Sequence, residues 1–543
     1  MSNAYFTVPV PYNEPVKSYT PNSPEKKEIT RKLEELQSQK IEIPLIIGGK
    51  EVRTGDTAAI QPPHDHQKTL GVYHKGGKKE VDHAISAALE ARKTWAEMPW
   101  EHRISIFLTA ADLLAGSWRA TLNAATMLGQ SKTVYQAEID AACELIDFWR
   151  FNTYFMTQIM ADQPNSPPGY WNRCEYRPLE GFVFAVSPFN FTSIAGNLPT
   201  APVMAGNVVL WKPASTAVYS AYYIMKVLQK AGLPPGVINF LPGSGANIGD
   251  PALESQDLAG IHFTGSTAVF QSMWKKVGDN ISRMKYYPRI VGETGGKDFI
   301  FAHRSAKITP LVVAAIRGAF EYQGQKCSAA SRMYIPASLW PQFRDVYTAE
   351  VANIRMGSPE DFANFMTAVI DKAAFENIKS YIEYARESDE AEIITGGTCD
   401  DSTGYFIEPT TIVTTNPTFK TMEEEIFGPV LTIFVYEDSQ FEETLALCDQ
   451  TSPYALTGAI WAQDRTALVK MSNVLRNAAG NFYINDKPTA AVVGQQPFGG
   501  GRASGTNDKA GSRLNMLRWM SVRAMKETFV PPEDWRYPFM RES

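Results

Sequence analysis

The chain has 543 residues, 44% hydrophobic and 20% charged, which is typical of a globular protein with several domains. Its 52 Lys and Arg residues against 58 Asp and Glu residues give a net charge of -6, so neither nucleic acid nor an anionic membrane is an expected partner. No apolar run reaches the roughly 20 residues of a transmembrane helix. Five dispersed cysteines argue against a disulfide framework and indicate a reducing compartment.

The N-terminal third is predicted to be helical after an initial arm. Residues 1–15 carry no regular apolar pattern and are expected to be extended. Apolar residues at three- and four-residue spacing then predict helices over 80–98, 101–128 and 132–160. The pair His64 and His66 lies in a turn-rich segment, where a solvated loop is favoured over a metal site.

From Gly181 onward, short apolar strands alternate with helical segments. The first group of candidate strands covers 181–186, 208–212, 237–241 and 260–263. The second group covers 299–302, 332–335, 430–435 and 457–461. This alternation predicts two α/β units with parallel, doubly wound sheets, which bind ligands at the carboxyl ends of their strands.

Cys327 is the candidate nucleophile. It follows a predicted helix and is flanked by glycine and small polar residues, which suits an exposed thiol on a tight loop. A free thiol has a pKa near 8.5, so it needs a nearby base to react at neutral pH. A lone cysteine is more often a small core residue, and the other four cysteines are interpreted that way.

Two further residues have side chains suited to covalent catalysis. Glu293 lies among glycines, which suits a general base that must move. A phosphate-binding loop is excluded there, because Asp298 follows Lys297 where Ser or Thr is required. Asn190 follows the first candidate strand, and its amide could donate to a developing oxyanion.

Two segments are candidates for cofactor binding. Lys212 ends a predicted strand, and Gly265 and Ser266 precede a predicted helix whose free N–H groups could hold a pyrophosphate. The glycines around 243–249 have the wrong spacing for a dinucleotide fingerprint and are interpreted as a turn.

Taken in order, these motifs resemble those of the aldehyde dehydrogenase superfamily. The matching segments are 187–190, 211–213, 263–266, 293–297, 324–327, 424–429 and 497–500. The resemblance covers about residues 40 to 530, and the 34-residue interval from Glu293 to Cys327 also matches the family. Segments 129–133, 136–140, 320–328 and 492–500 resemble the branch that oxidises L-glutamate γ-semialdehyde, the second step of proline breakdown.

The resemblance implies an aldehyde dehydrogenase-like α/β fold with two doubly wound domains and an oligomerisation segment. The implied bounds are 1–39 for the arm, 40–160 and 183–293 for an NAD-binding domain, 294–495 for a catalytic domain, and 161–182 and 510–543 for oligomerisation segments. A homodimer or larger homo-oligomer is expected, and a proline dehydrogenase partner is left open.

The resemblance also implies a role for each matching residue. Cys327 attacks the aldehyde, Asn190 and the backbone N–H of Cys327 hold the oxyanion, and Glu293 activates the water that releases the acid. The implied NAD contacts are Ser187, Lys212, Ser215, Gly265, Ser266, Glu425 and Phe427. The implied substrate contacts are Glu144 for the ammonium, Ser328, Ala490 and Ala491 for the carboxylate, and Phe191 and Phe498 for the aliphatic chain. No metal is implied.

Two positions depart from the family pattern. Ala490 and Ala491 stand where many relatives have Gly-Ser, so only backbone donors remain there. Ser215 stands where the superfamily often has an acid that contacts the ribose 2′-hydroxyl, so NADP is expected to be tolerated beside NAD.

Three alternatives remain open at this point. The chain could oxidise another small aldehyde, transfer an acyl group to coenzyme A, or use the fold in a catalytically silent structural role. The presence of Glu293 argues against the second and the intact catalytic set against the third. A cytoplasmic location is expected, or the mitochondrial matrix if a targeting segment has been removed.

Overall fold

Two seven-stranded sheets organise the protein. The computed structural model describes residue 4, residues 6–489 and residues 491–540. In spatial order the strands of the first sheet are Arg289–Glu293, Leu258–Thr264, Phe182–Val186, Val208–Lys212, Ile238–Phe240, Leu45–Ile47 and Lys50–Val52. The first five are parallel, and the last two are antiparallel additions at one edge.

The second sheet has the same size and lies entirely within residues 391–484 and 298–336. In spatial order its strands are Ala391–Thr395, Thr410–Thr414, Val430–Tyr436, Ala330–Pro336, Asp298–Ala302, Thr457–Trp461 and Asn481–Ile484. All neighbours pair in parallel except the first two. The predicted α/β class with two doubly wound sheets is confirmed, whereas the domain bounds stay predictions.

Helices cover the faces of both sheets and build the region around residues 78–160. The α-helices are Pro24–Ser38, Lys78–Trp95, Trp100–Ala115, Arg119–Gln130, Val134–Ala137, Leu145–Met160, Thr192–Met204, Val218–Lys230, Gly245–Glu254, Thr267–Asn280, Ile308–Phe320, Trp340–Val351, Lys372–Arg386, Lys420–Glu423, Phe441–Gln450, Arg465–Val474 and Arg513–Leu517. Among the described residues, no helix is long and apolar enough to cross a bilayer.

Strand Asp298–Ala302 shows why the second sheet is buried on both faces. Phe299 and Phe301 pack into one apolar cluster, while Ile300 and Ala302 pack into another on the opposite face. Successive side chains of a strand point to opposite faces, so a continuous apolar run fits between two helical layers.

Smaller sheets complete the architecture. Strand Tyr170–Pro178 pairs with Met520–Thr528 in a two-stranded antiparallel ribbon, which joins the two predicted oligomerisation segments. Strands Ile41–Ile43, Gly71–His74 and Thr57–Ile60 form a third sheet. Residues 6–20 have no regular secondary structure, as predicted for an extended arm.

Two predicted helices differ from the structure. The helix predicted over 101–128 is interrupted at 116–118, where Gly116 leaves helical geometry with φ -106° and ψ -111°. Glycine weakens a helix because it has the most backbone freedom to lose. The helix predicted over 132–160 contains a π-helical segment, Glu138–Glu144, and such segments occur frequently at functional sites.

The prediction of a solvated loop for His64 was wrong. His64 is buried, with its Nδ1 2.8 Å from the Ser131 hydroxyl, and burial lowers the pKa of its imidazole to about 4. His66 is half-buried, and its Nε2 lies 2.9 Å from the Asp401 carbonyl oxygen. Within the described part of the chain, no group of three or more His, Cys, Asp or Glu side chains is arranged to hold a metal.

Candidate active site

The carboxyl ends of the parallel strands of the first sheet gather several predicted site residues along one edge. Val186 pairs with Lys212, Phe263 with Val186, and Thr264 with Glu293. Ser187 and Gly265 follow these strand ends directly, so they lie beside Lys212 and Glu293. Open α/β sheets bind their ligands at this edge.

The same edge has features suited to an anionic dinucleotide. Ser266 caps the 14-residue helix Thr267–Asn280, and its hydroxyl accepts from the Val269 N–H at 3.4 Å. The first N–H groups of a helix have no intrahelical acceptor and attract anions. Burial lowers the pKa of the Lys212 ammonium to about 8. Ser215 is exposed at the start of the turn that follows.

Two glycines after Glu293 allow the backbone to pass close to both Glu425 and Cys327. A Cβ added to Gly295 would lie 2.4 Å from a Glu425 carboxylate oxygen, and one added to Gly296 would lie 2.1 Å from the Cys327 carbonyl oxygen. Gly296 also donates its N–H to Glu425 Oε1 at 2.8 Å. Burial raises the pKa of the Glu425 carboxyl to about 7.

A strained turn presents Cys327. Tyr322 and Gln323 have positive φ angles of 52° and 54°, and Gly324 has a φ of 66°. The Gln323 amide donates to Thr367 Oγ1 and to the Ala368 carbonyl at 2.8 Å each, which holds the turn in this conformation. Backbone held in such sparsely populated regions is frequent at active sites.

The predicted nucleophile and the predicted base are in direct contact. Cys327 Sγ lies 3.3 Å from Glu293 Oε1, where the thiol can donate to the carboxylate. Burial, with the nearby charge of Glu293, raises the pKa of the Cys327 thiol well above its usual value. Burial also raises the pKa of the Glu293 carboxyl to about 7, while Lys509 acts in the opposite direction. The contact places the Glu293 carboxylate where it can accept the thiol proton.

One cavity of about 460 Å³ contains these two groups and most of the predicted substrate contacts. The predicted residues that line it are Glu144, Phe191, Glu293, Cys327, Ser328, Ala491 and Phe498. Ala490 lies outside the described residues. Burial, together with the charge of Asp140, raises the pKa of the Glu144 carboxyl to about 8.

Two polar side chains fix the segment that carries Asn190 and Phe191. The Gln130 amide donates to the Phe189 carbonyl at 2.6 Å, on one side of Asn190. On the other side, the Asp140 carboxylate accepts from the Thr192 and Ser193 N–H groups at 2.9 Å each. The buried Asn190 is therefore held between two anchored peptides, as an oxyanion donor requires.

Lys132 and Asp140 were not among the predicted site residues. The Lys132 ammonium donates to Asp140 Oδ2 at 2.7 Å and lies 4.4 Å from the ring centres of both Phe191 and Tyr322. It therefore fixes the ring that forms one wall of the cavity. Both residues lie in segments that match the family branch, which is the sequence signal that could have identified them.

Two aromatic rings pack together next to Glu425, at the strand-end edge of the first sheet. Phe427 has a positive φ of 58°, and its ring packs edge-on against Phe189 with centroids 5.7 Å apart. Glu425 and Phe427 follow the short helix Lys420–Glu423 of the second unit, so the edge is built from both α/β units.

The shifted pKa of Glu293 predicts an acidic limb in the rate. A carboxyl group must be ionised to accept a proton, so a pKa of about 7 means that the base is lost as pH falls through 7. We expect kcat/KM for pentanal, which does not ionise, to fall about tenfold per pH unit below that pKa. A profile that stays flat down to about pH 5 would exclude Glu293 as the base.

Asn190→Ala is expected to slow the chemical step by about 10² to 10³, which corresponds to roughly 2.7–4 kcal/mol for one oxyanion donor. The KM for NAD should stay unchanged, which separates lost catalysis from lost folding. An unchanged kcat, under conditions where chemistry limits the rate, would assign Asn190 a structural role only.

Comparison with known proteins identifies the family. The model of the aldehyde dehydrogenase family matches residues 52–525. The chain is 54% identical to the mitochondrial delta-1-pyrroline-5-carboxylate dehydrogenase of Dictyostelium discoideum, over 98% of this chain and 96% of that protein. It is 53% identical to the enzyme of that name from Agaricus bisporus, over 98% of both chains. The crystal structure of the NAD-bound Mycobacterium tuberculosis enzyme superposes with a TM-score of 0.97 at 52% identity, over the whole of both chains. The chain belongs to the aldehyde dehydrogenase family.

Proposed function

We propose that the protein oxidises L-glutamate γ-semialdehyde to L-glutamate with NAD, through a thioester on Cys327. The observation that carries the proposal is the 3.3 Å contact between Cys327 and Glu293 in a cavity that also contains Glu144. The high identity to enzymes named for 1-pyrroline-5-carboxylate supports the choice of substrate, since this imine is in equilibrium with the semialdehyde.

The chemistry follows from the arrangement of the side chains. Glu293 accepts the thiol proton, and Cys327 Sγ bonds to the aldehyde carbon. The Asn190 amide and the Cys327 backbone N–H donate to the oxygen that gains charge. Bound NAD supplies the hydride acceptor. Glu293 releases this first proton to solvent and then takes a proton from water, whose oxygen attacks the thioester carbon. The C–S bond breaks, the acid is released, and the proton on Glu293 returns to the Cys327 thiolate.

The proposed substrate carries two charges far from its aldehyde. Glu144 binds the ammonium, and a partly buried carboxyl with a pKa of about 8 becomes ionised when a cation is placed beside it. Ser328 and Ala491 bind the carboxylate, together with Ala490, which lies outside the described residues, while Phe191 and Phe498 flank the aliphatic chain. Fixing both charges directs the reacting carbon toward Cys327.

The cofactor site is assigned from the same edge of the first sheet. Lys212 and Ser215 lie where an adenosine ribose would sit, Gly265 and Ser266 at the pyrophosphate, and Glu425 at the nicotinamide ribose, with Ser187 and Phe427 beside them. No carboxylate stands at position 215, so a 2′-phosphate meets no repulsion from that side chain. We therefore propose NAD as the main cofactor with NADP tolerated.

The assembly and the compartment remain proposals as well. The ribbon of Tyr170–Pro178 and Met520–Thr528 exposes Trp171 and Val522, which favours a homodimer or larger homo-oligomer. A proline dehydrogenase partner would supply the semialdehyde. We place the enzyme in the cytoplasm, or in the mitochondrial matrix if a targeting segment is removed from the mature chain.

Glu144→Ala tests the substrate directly. Glutarate semialdehyde has the same chain length and carboxylate but no amino group, so it leaves Glu144 without a partner. We expect the wild type to prefer the amino acid substrate in kcat/KM, and the variant to lose most of that preference. A loss of the same factor on both aldehydes would mean that Glu144 does not bind the ammonium. If the wild type then prefers another small aldehyde in kcat/KM, that aldehyde would replace L-glutamate γ-semialdehyde as the proposed substrate.

A further inference from the structure

We infer that Asn13, in the N-terminal arm, is a positioning residue that links the proposed contact for the substrate ammonium to the proposed contact for its carboxylate. Asn13, Glu14 and Val16 line the cavity that also contains Glu144. This inference rests on the proposed substrate, whose ammonium and carboxylate are bonded to one carbon, at the end away from the aldehyde.

The Asn13 amide bridges the two sides of the cavity. Its Nδ2 donates to Asp147 Oδ2 at 2.8 Å and to the Val493 carbonyl oxygen at 2.8 Å. Its Oδ1 accepts from Gln495 Nε2 at 2.9 Å. Both N–H donors and the acceptor of one short side chain are thus engaged, so the amide has a single orientation.

The two sides that Asn13 joins carry the proposed charge contacts. Asp147 lies one helical turn after Glu144, and both side chains face the cavity. Val493 lies two residues after Ala491, in the loop proposed to hold the substrate carboxylate. The substrate carries both charged groups on one carbon, so the two contacts must keep a fixed spacing from each other, and Asn13 is a direct link between the two elements.

A buried ionic network holds the arm in this position. Glu14 accepts from Arg119 Nη1 at 2.5 Å and from Arg150 Nη1 at 2.7 Å, and its backbone N–H donates to Asp147 Oδ1 at 2.7 Å. Further along, the Lys17 N–H at 2.8 Å and the Tyr19 hydroxyl at 2.7 Å donate to the buried Glu138 carboxylate. The arm is therefore fixed to the helices next to Glu144 at several points, which makes Asn13 a rigid bridge.

The test compares Asn13→Ala and Asn13→Asp with the wild type on two aldehydes of equal chain length. Aspartate keeps the size of asparagine but removes both N–H donors and places a charge beside Asp147. Pentanal has neither the ammonium nor the carboxylate, so it reports only on Cys327, Glu293 and the cofactor. Asn353→Ala is the matched control, because that exposed residue lies just after helix Trp340–Val351 and its amide donates to the Ala349 carbonyl of the same helix.

We expect both Asn13 variants to lose about 10-fold or more in kcat/KM for L-glutamate γ-semialdehyde, mainly through KM. Their kcat/KM for pentanal and their KM for NAD should change less than about 2-fold, as should all values for the control. Equal losses on both aldehydes, or unchanged kinetics with the semialdehyde, would overturn the role of Asn13 and leave the proposed substrate standing.

A thermal unfolding curve detects a folding defect in either variant. If one Asn13 variant is misfolded, the kinetics of the other variant test the role of Asn13. If the wild-type enzyme itself shows no preference for the semialdehyde over pentanal, the proposed substrate is overturned, and the role of Asn13 with it.

Discussion

Cys327→Ala is expected to abolish aldehyde oxidation, with turnover lowered by roughly 10³-fold or more, by analogy with removal of other covalent nucleophiles. The thiol is buried in the cavity and contacts Glu293. Cys143 lines the same cavity, but its thiol contacts Arg119 and Glu138 instead. Steady-state formation of reduced cofactor from the semialdehyde measures the loss.

The matched control for this variant is Cys448→Ala. Cys448 is also fully buried, but it packs in the apolar core of the second unit away from the cavity. Cofactor binding by Cys327→Ala should match that of the wild type, because Cys327 lies outside the strand ends proposed to hold NAD. An alanine variant that keeps more than about 10% of wild-type turnover would refute covalent catalysis by this residue.

Glu293→Gln is expected to convert steady turnover into a single burst. Glutamine cannot accept the thiol proton, so the first turnover is slowed, but the thiol can still lose its proton to solvent. Hydride transfer precedes hydrolysis, so this turnover still produces reduced cofactor, and the thioester then accumulates because glutamine cannot activate water. We expect a burst of about one equivalent per active site followed by slow turnover. Rapid mixing with absorbance of the reduced nicotinamide measures its amplitude.

Intact-protein mass spectrometry of the quenched burst should show the acyl group on the chain, and the double variant with Cys327→Ala should show none. A Glu293→Gln protein with neither burst nor acyl-enzyme would assign Glu293 an essential part in the first step. The burst rate should also show whether Glu293 is needed to deprotonate Cys327, because its contact of 3.3 Å allows both roles.

The sequence predicted the fold class and the strand ends that carry Lys212 and Gly265, because these depend on local periodicity. Buried parallel strands are short apolar runs. Where the carboxyl ends of such strands bind a ligand, the residues that follow them are small or polar. The second sheet was predicted for the same reason, from runs such as 299–302, which lies in the observed strand Asp298–Ala302. The order of the seven motifs along the chain then matched that of one family.

Side-chain partners far apart in sequence could not be predicted. Asn13 and Asp147 are 134 residues apart, and Asn13 and Val493 are 480 apart, so no local pattern connects them. His64 was predicted wrongly for the same reason, since its hydrogen-bond partner Ser131 is 67 residues away. The break at Gly116 was missed because apolar spacing continued across it.

The central claim is that a doubly charged aldehyde is oxidised through Cys327. Its most direct test is the kcat/KM of the purified wild-type enzyme, with NAD, for L-glutamate γ-semialdehyde, glutarate semialdehyde and pentanal. We predict that the amino acid substrate exceeds both others by about 10-fold or more, because only it engages Glu144 and the carboxylate loop together. Equal or better turnover of pentanal would contradict the proposed function.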